Sequence, residues 1–294
     1  MKISIVIPNY NGEKLLKKNL PRVIKEIKKL RNLEIEIIVV DDGSTDGSIQ
    51  ELKAQNSKLK AKAQNLRLKI IKNRKNLGFA STVNRGVKEA RGEIIVLLNT
   101  DVYPEMGFLE PVLPHFKDPK VFAVGMLDKS IEDDKIVRRG RGVGKWQQGF
   151  YIHRRGEIDK TDTAWVAGGS GAFRKSIWEK LGGFAEIYNP FYWEDIDLSY
   201  RAKKAGYKIL FEPESVIVHE HEKGIIKRQF STWKIKSLSY RNQFLFVWKN
   251  ANPAQLISHF LWLPYHLLKS FFRADICFFI GFLWAIKRKL TFTK

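Results

Sequence analysis

Apolar and polar positions alternate in blocks along the first hundred residues of the chain. "ISIVIP" is a β-branched apolar run that ends in the turn-prone "PNYNG", which predicts a buried strand and then a loop. A helical stretch from about Glu13 to Leu30 leads into a second strand, "IEIIVV", and the turn "DDGSTDGS", whose Ser44, Thr45 and Asp46 suit a helix cap. "LRLKII" and "GEIIVLLN" read as further strands, separated by the helix "ASTVNRGVKEARG" with its terminal glycine. Strands alternating with helices predict an α/β fold with a Rossmann-like, mostly parallel central sheet flanked by helices. Ligands of such sheets sit at the carboxyl ends of the strands.

Those ends are polar here. Pro8, Asn9 and Tyr10 follow the first strand, Asp41 and Asp42 the second, and Asn99, Thr100 and Asp101 the fourth. One such end could be a helix cap, as Asp46 is expected to be. Several on one rim predict a nucleotide site. No G-x-G-x-x-G follows the first strand and no G-x-x-x-x-G-K-[ST] occurs anywhere, so a dinucleotide fingerprint and a P-loop are both excluded. A divalent cation, magnesium or manganese, joining a diphosphate to a carboxylate such as Asp101 is the alternative way to hold phosphate.

Composition adds a charge. The 294 residues carry 52 Lys+Arg against 31 Asp+Glu, a net charge of +21, which points to a polyanionic partner: nucleic acid, an anionic membrane or a phosphorylated substrate. The single Cys277 excludes an internal disulfide and a thiolate zinc cluster, and predicts a reducing, cytoplasmic setting. The opening "MKISIVIPNYNG" reads as neither signal peptide nor membrane span, because its apolar run is short and leads directly into a turn.

"SIVIPNYNG", "IIVVDDGSTDGS", "NLGFASTVNRGV" and "IIVLLNTDV" together resemble the nucleotide-binding half of family 2 glycosyltransferases, inverting enzymes of the GT-A fold that use nucleotide-diphosphate sugars. "VAGGSGAFRKSIWEKLGGF" and "FYWEDIDLSYRAKKAGYKI" resemble the acceptor-side segments, so the likeness spans residues 2 to 222. It implies a nucleotide-binding half over 1–102 and an acceptor-binding half over 103–222. It also implies nucleoside contacts from Pro8, Asn9, Tyr10 and Asp42, with Asp41 beside them and with Asn84 and Thr100 in the same site. Asn99 to Asp101 would be the metal motif; Asn99 stands where many members carry Asp, so the cation would lean on Asp101. "LLNTDV" and the acceptor-side segments are similar to rhamnosyltransferase-like members, which points to a UDP- or dTDP-linked donor.

Inverting transfer needs one base to take the acceptor proton and positive charge near the leaving diphosphate. "WEDIDL" offers acids at 194, 195 and 197 where a helix begins. The resemblance assigns the base to Asp195, with Glu194 supporting the acceptor, while Asp197 is expected only to favour the helix dipole. Phe191, Tyr192 and Trp193 suit a sugar-stacking wall. "GGSGAF", with Gly169 and Ser170, offers small residues for close approach to acceptor or donor sugar, although glycines also serve plain turns. In "VIVHEHEKG" the spacing of His219 and His221 does not match the H-E-x-x-H of a metalloprotease helix. The resemblance makes His219 the third metal ligand; a structural histidine is the alternative, and His221 is the weaker candidate.

Residues 223 to 294 hold thirteen Lys and Arg against one acid, Asp275, together with many aromatics. "QLISHFLWLPYHLLKSFF" and "ICFFIGFLWAIKRK" are apolar but interrupted, and the run from Ile276 to Ile286 is about half of the roughly 20 residues a span requires. A helical membrane-interface appendage follows, peripheral on the cytoplasmic face and bound to anionic lipid. Packing on the domain or on a second subunit is the alternative. No nucleic-acid motif accompanies the charge.

The expectation is therefore a metal-dependent glycosyltransferase of cell-surface polysaccharide synthesis, acting on a glycan or lipid-linked acceptor. Two alternatives stand beside it: a degenerate membrane-associated binding module, and a nucleotidyltransferase that would release pyrophosphate.

Overall fold

The structure is a computed structural model and describes residues 1–30, 33–62, 66–132, 135–220 and 229–292. The predicted strands form in the first half as β1 (Lys2–Asn9), β2 (Glu34–Asp41), β3 (Arg67–Lys72) and β4 (Ile94–Leu98). They lie parallel in the order β3-β2-β1-β4, with Ile3 beside Ile35 on one side and beside Ile94 on the other. Three helices cover them: α1 (Glu13–Ile27), α2 (Ser48–Lys62) and α3 (Phe79–Lys88).

The two-residue period of a strand explains both cores. Ile3, Ile5 and Ile7 of β1 face one way and pack with Leu16 and Leu20 of α1 and Leu52 of α2. Val6 faces the other way, with Ile38 and Val40 of β2 and Val83 and Val87 of α3. Gly86 lets α3 lie flat on that face, because a Cβ there would meet Val6 Cγ1 at 2.4 Å.

The second half extends the mostly parallel sheet and adds antiparallel pairs to it. It adds β5 (Val102–Pro104), β6 (Val121–Glu132), β7 (Lys135–Arg139), the separate hairpin of β8 (Gly142–Gln147) and β9 (Phe150–Arg155), β10 (Ser170–Arg174) and β11 (Lys208–Glu220). β10 runs antiparallel to both β4 and β6, β6 and β11 are parallel, and β5 pairs antiparallel with β11. Short helices α4 (Lys175–Lys180) and α5 (Glu194–Lys204) connect these strands.

Three long helices follow: α6 (Thr232–Asn250), α7 (Pro253–Phe272) and α8 (Ile276–Phe292). The expected division between residues 222 and 223 lies outside the described residues. In α6 four consecutive side chains, Phe244, Leu245, Phe246 and Val247, are at most 1% exposed, so this helix is core rather than a surface appendage. It packs with Phe150 and Tyr151 of β9 and with Tyr188 and Trp193. α7 opens on a reciprocal cap in which the Asn252 side chain accepts from the Gln255 amide and Gln255 accepts from the Asn252 amide. Its course continues through Pro264. Among the described residues no helix is long and apolar enough to cross a membrane.

Candidate active site

The carboxyl ends of β1 and β4 open onto a cleft of about 440 Å³ that collects residues from both halves of the chain. Pro8, Asn9, Tyr10 and Asp42 line one side, Asn99, Thr100, Asp101 and His219 the floor, and Phe191, Tyr192 and Phe230 the far side. These include most of the strand-end residues singled out from the sequence. Asn76, Gly78, Phe79, Thr82, Pro190 and Gln229, which the sequence did not single out, complete the lining.

Asp42 shapes the wall opposite itself. Its carboxylate accepts from Asn73 Nδ2 at 2.7 Å and from the backbone N–H groups of Leu77 and Gly78 at 2.9 and 3.0 Å, which draws the loop before α3 against the cleft. Asp41 does different work from its neighbour. It is fully buried and accepts from Asn9 Nδ2 at 2.8 Å and from both the hydroxyl and the amide of Ser44. It orients Asn9 from behind and is not part of the lining.

The cleft floor follows from strand register. His219 of β11 stands opposite Val102 of β5 and Ser130 of β6, so its ring falls between Asp101, one residue before Val102, and Asp128, two residues before Ser130. Nε2 lies 3.3 Å from Asp101 and Nδ1 lies 3.1 Å from Asp128. Burial alone would lower the imidazole pKa, but the hydrogen bonds and charges of the two carboxylates outweigh it and hold it at about 9. The sequence pattern did not single out Asp128, because nothing in "GMLDKS" marks an acid whose partner lies 91 residues away. His221 lies outside the described residues.

Among the described residues no group of three or more His, Cys, Asp or Glu is arranged to hold a metal ion. The two groups that do meet at the floor, an Asp101 carboxylate oxygen and His219 Nε2 once its proton is displaced, suit a divalent cation that would take its remaining ligands from a diphosphate and water. Sites built from one or two protein groups plus substrate phosphates are usual for such ions. Asn99 stands at the same corner: its amide donates to the Gly169 carbonyl at 3.0 Å, and a Cβ on Gly169 would lie 2.3 Å from the Asn99 side chain. Gly169 is therefore glycine because Asn99 occupies its side-chain space. Ser170 is buried in the pairing of β10 with β4 and does not line the cleft.

The acids of α5 directly follow the aromatic wall in the chain and are not themselves in the cleft lining. Asp195 is partly buried; one carboxylate oxygen accepts from the Ile196 amide at 2.8 Å and the other from the Gly168 amide at 3.3 Å. Burial raises its pKa and these amides oppose the rise. Glu194 is 5% exposed, and its Oε2 has no hydrogen-bond partner among the described residues. Burial, and then the charge of Asp195, push its pKa well above the usual carboxylate range.

Two expected contacts fall elsewhere. Asn84 faces away from the cleft: its amide donates to the Phe184 carbonyl at 2.8 Å and its carbonyl accepts from the Phe184 amide at 2.9 Å, pinning α3 to the turn after α4. Trp193 is 3% exposed and packs against Phe246 and His153, with ring centres 5.2 and 4.8 Å away. Of the three aromatics expected to form a sugar wall, Phe191 and Tyr192 line the cleft and Trp193 belongs to the core beneath them.

The mostly parallel α/β sheet, with its cleft at the strand ends, is that of a GT-A-type fold. The chain belongs to glycosyl transferase family 2, whose family description matches residues 4–182. It is 25% identical over 225 residues to the O-antigen chain rhamnosyltransferase RfbN of Salmonella typhimurium, covering 75% of this chain and 67% of that one. Two solved structures share the fold. GalNAc-T7 with UDP, GalNAc and Mn2+ superposes with a TM-score of 0.65 at 21% identity, covering 84% of this chain and 47% of that chain. The mannosyltransferase PcManGT from Pyrobaculum calidifontis, in complex with GDP-Man and Mn2+, gives 0.58 at 18% identity and covers 98% and 84%. The chain thus spans 67% of the length of the rhamnosyltransferase and about half of GalNAc-T7.

Proposed function

We propose that the protein moves a sugar from a nucleoside-diphosphate sugar onto an acceptor hydroxyl of a cell-surface glycan, free or lipid-linked, with inversion at the anomeric carbon. The observation that carries this reading is the meeting of Asp42, Asn9 and Tyr10 with Asp101 and His219 in one cleft walled by Tyr192. Pro8, Asn9, Tyr10 and the Asp42-braced loop hold the nucleoside, uridine or deoxythymidine. Asp101 and His219, with Asn99 beside them, hold a magnesium or manganese ion. When bound, that ion supplies positive charge where the diphosphate leaves.

Phe191 and Tyr192 present the acceptor from the opposite wall. Asp195 takes the acceptor proton as its oxygen forms a bond to the anomeric carbon and the bond from that carbon to the diphosphate oxygen breaks. The electron pair leaves with the nucleoside diphosphate. The raised pKa of Asp195 supports this role, since a base must have affinity for the proton it takes. Burial disfavours a second negative charge at Glu194 beside Asp195.

The test is thermal stability in the presence of UDP, dTDP and their sugars, each with and without manganese. A ligand at about 100 times its Kd stabilises the native state by about 2.7 kcal/mol, an effect large enough to select the nucleotide. Asp101→Ala is expected to remove the part of the shift that depends on metal and to spare the rest. No shift from any diphosphate with folded protein would return the chain to the class of degenerate binding modules.

The same enzyme docks on the cytoplasmic face of an anionic membrane through α7 and α8. Ile257, Phe260, Leu261, Pro264, Tyr265, Leu268, Phe271 and Phe272 recur at helical spacing and face outward from α7, and Phe272 is 81% exposed. Ile276, Leu283, Ile286 and Leu290 continue an exposed apolar face along α8. Lys269, Arg273, Lys287 and Lys289 supply cations beside them, the arrangement that suits a helix lying in the headgroup layer. Leu261→Asp combined with Leu268→Asp is expected to reduce cosedimentation with phosphatidylserine vesicles by roughly tenfold without lowering Tm. Unchanged vesicle binding, or a concentration-dependent dimer that the double variant dissolves, would assign this face to another use.

A further inference from the structure

The segment Tyr188–Trp193 joins the cleft wall to the acids of α5, and its backbone is unusual. Tyr192 and Trp193 have φ of 71° and 75°, a left-handed conformation that bulky side chains rarely adopt. Such residues persist only where their surroundings over-determine them. On one side the anchor is α3: the Phe79 amide donates to the Pro190 carbonyl at 3.0 Å, and Asn189 exchanges hydrogen bonds with the Ala80 amide and the Ser81 hydroxyl at 3.1 and 2.7 Å.

On the other side the anchor is α6. Asn242 is fully buried, and its Nδ2 donates to the carbonyls of Tyr188, Phe191 and Tyr192 at 3.1, 2.9 and 2.9 Å. Its Oδ1 accepts from Arg241 Nε at 2.8 Å, which fixes the direction in which the amide points. Arg241 Nη2 in turn donates to the carbonyls of Tyr188 and Asn189 at 3.0 and 2.7 Å. Burial, and then the charge of Arg288, pull the Arg241 pKa down to about 10, so the guanidinium is held there at a cost. An apolar side chain would fill this space with no such cost. A buried cation and a buried amide that both point at backbone carbonyls fit a requirement on backbone shape rather than on volume.

We propose that Arg241 and Asn242 are positioning residues, which hold the Phe191–Tyr192 wall and the Glu194–Asp195 pair in register with the donor side of the cleft. The inference rests on Asp195 as the base. It makes the helical layer of 232–292 part of the transferase, since the residues that fix the acceptor wall come from a helix expected to be only an anchor.

Asn242→Leu tests this, because leucine keeps the volume and the helix while removing the donors. The stabilisation by nucleoside diphosphate and manganese is expected to be unchanged, the donor KM likewise, and kcat is expected to fall about a hundredfold. Hydrogen exchange of residues 188–195 is expected to rise roughly tenfold while that of residues 83–88, beyond the two amides bonded to this segment, stays constant. If Asn242→Leu does not fold, Arg241→Lys, which keeps the cation and loses the fork, is read in the same way. Wild-type kcat in a folded variant, or loss of diphosphate binding together with kcat, would overturn the proposal. If the wild-type protein transfers no sugar, the base assignment falls separately, and the exchange of residues 188–195 still decides: unchanged exchange refutes the clamp.

Discussion

Asp195→Asn is expected to lower kcat by about 10²–10⁴-fold, the usual contribution of a positioned general base, while leaving the stabilisation by nucleoside diphosphate intact. Asparagine keeps the shape and can still accept from one of the two amides that Asp195 binds, those of Gly168 and Ile196, so the fold loses one hydrogen bond and is expected to hold. The pH profile gives the second half of the test. The carboxyl must be ionised to act, and burial raises its pKa, so activity is complete above the raised pKa and is lost as pH falls through it. The acid limb of kcat/KM should therefore lie above the ordinary aspartate value of about 3.9. Steady-state rates from about pH 4 to 8 check this; a flat profile, or turnover by the asparagine variant near that of the wild type, would remove Asp195 from the mechanism.

Asp197→Ala is expected to cost about 3–5 kcal/mol of stability, the range for breaking a buried ion pair from one side. From the sequence this residue was expected only to complement a helix dipole. It is instead fully buried and accepts from the Tyr188 hydroxyl at 3.0 Å, Arg201 Nε at 2.8 Å, Lys249 Nζ at 2.8 Å and Asn250 Nδ2 at 2.8 Å. Its loss leaves two cations and two polar groups without their acceptor at the junction of α5 and α6. Against a typical total of about 5–15 kcal/mol, that is a large fraction. Urea unfolding should show a lower midpoint at an unchanged slope. A midpoint equal to the wild type would mean that water or a neighbouring carbonyl replaces the carboxylate.

Asp197 also marks where sequence reading stops. The strand-end residues Pro8, Asn9, Tyr10, Asp42 and Asn99 to Asp101 were legible because a buried parallel strand announces itself by its apolar run, and topology alone brings its end to the ligand rim. The first four strands and α1 to α3 were legible for the same reason. Asp195 was found through the likeness of "WEDIDL" to a family, since three acids at a helix start have a plain reading as dipole partners. Asp128, Asn242 and the partners of Asp197 left no local trace. Their roles depend on which strand lies beside β11 and where α6 crosses the 188–192 segment, and neither is encoded within any single window of sequence. Asn84 and Trp193 failed for the converse reason: Asn84 sits two residues after Thr82 and Trp193 one residue after Tyr192, and a rotation of that size separates a ligand contact from a packing contact.

The crossing of α6 over the cleft wall also bears on the order in which the protein is made. Synthesis delivers β1 to β4 and the donor side first, and the strands bearing Asp101 and His219 are complete by residue 220. Tyr188, Phe191 and Tyr192 emerge from the ribosome well before Asn242, whose side-chain amide donates to all three of their carbonyls. At an elongation rate of about 5–20 residues per second, roughly 50 residues of further translation separate the wall from its brace. During those seconds the nascent chain possesses a nucleotide side and an unset acceptor side, so maturation of the enzyme closes with a helix from its last quarter rather than with its sheet.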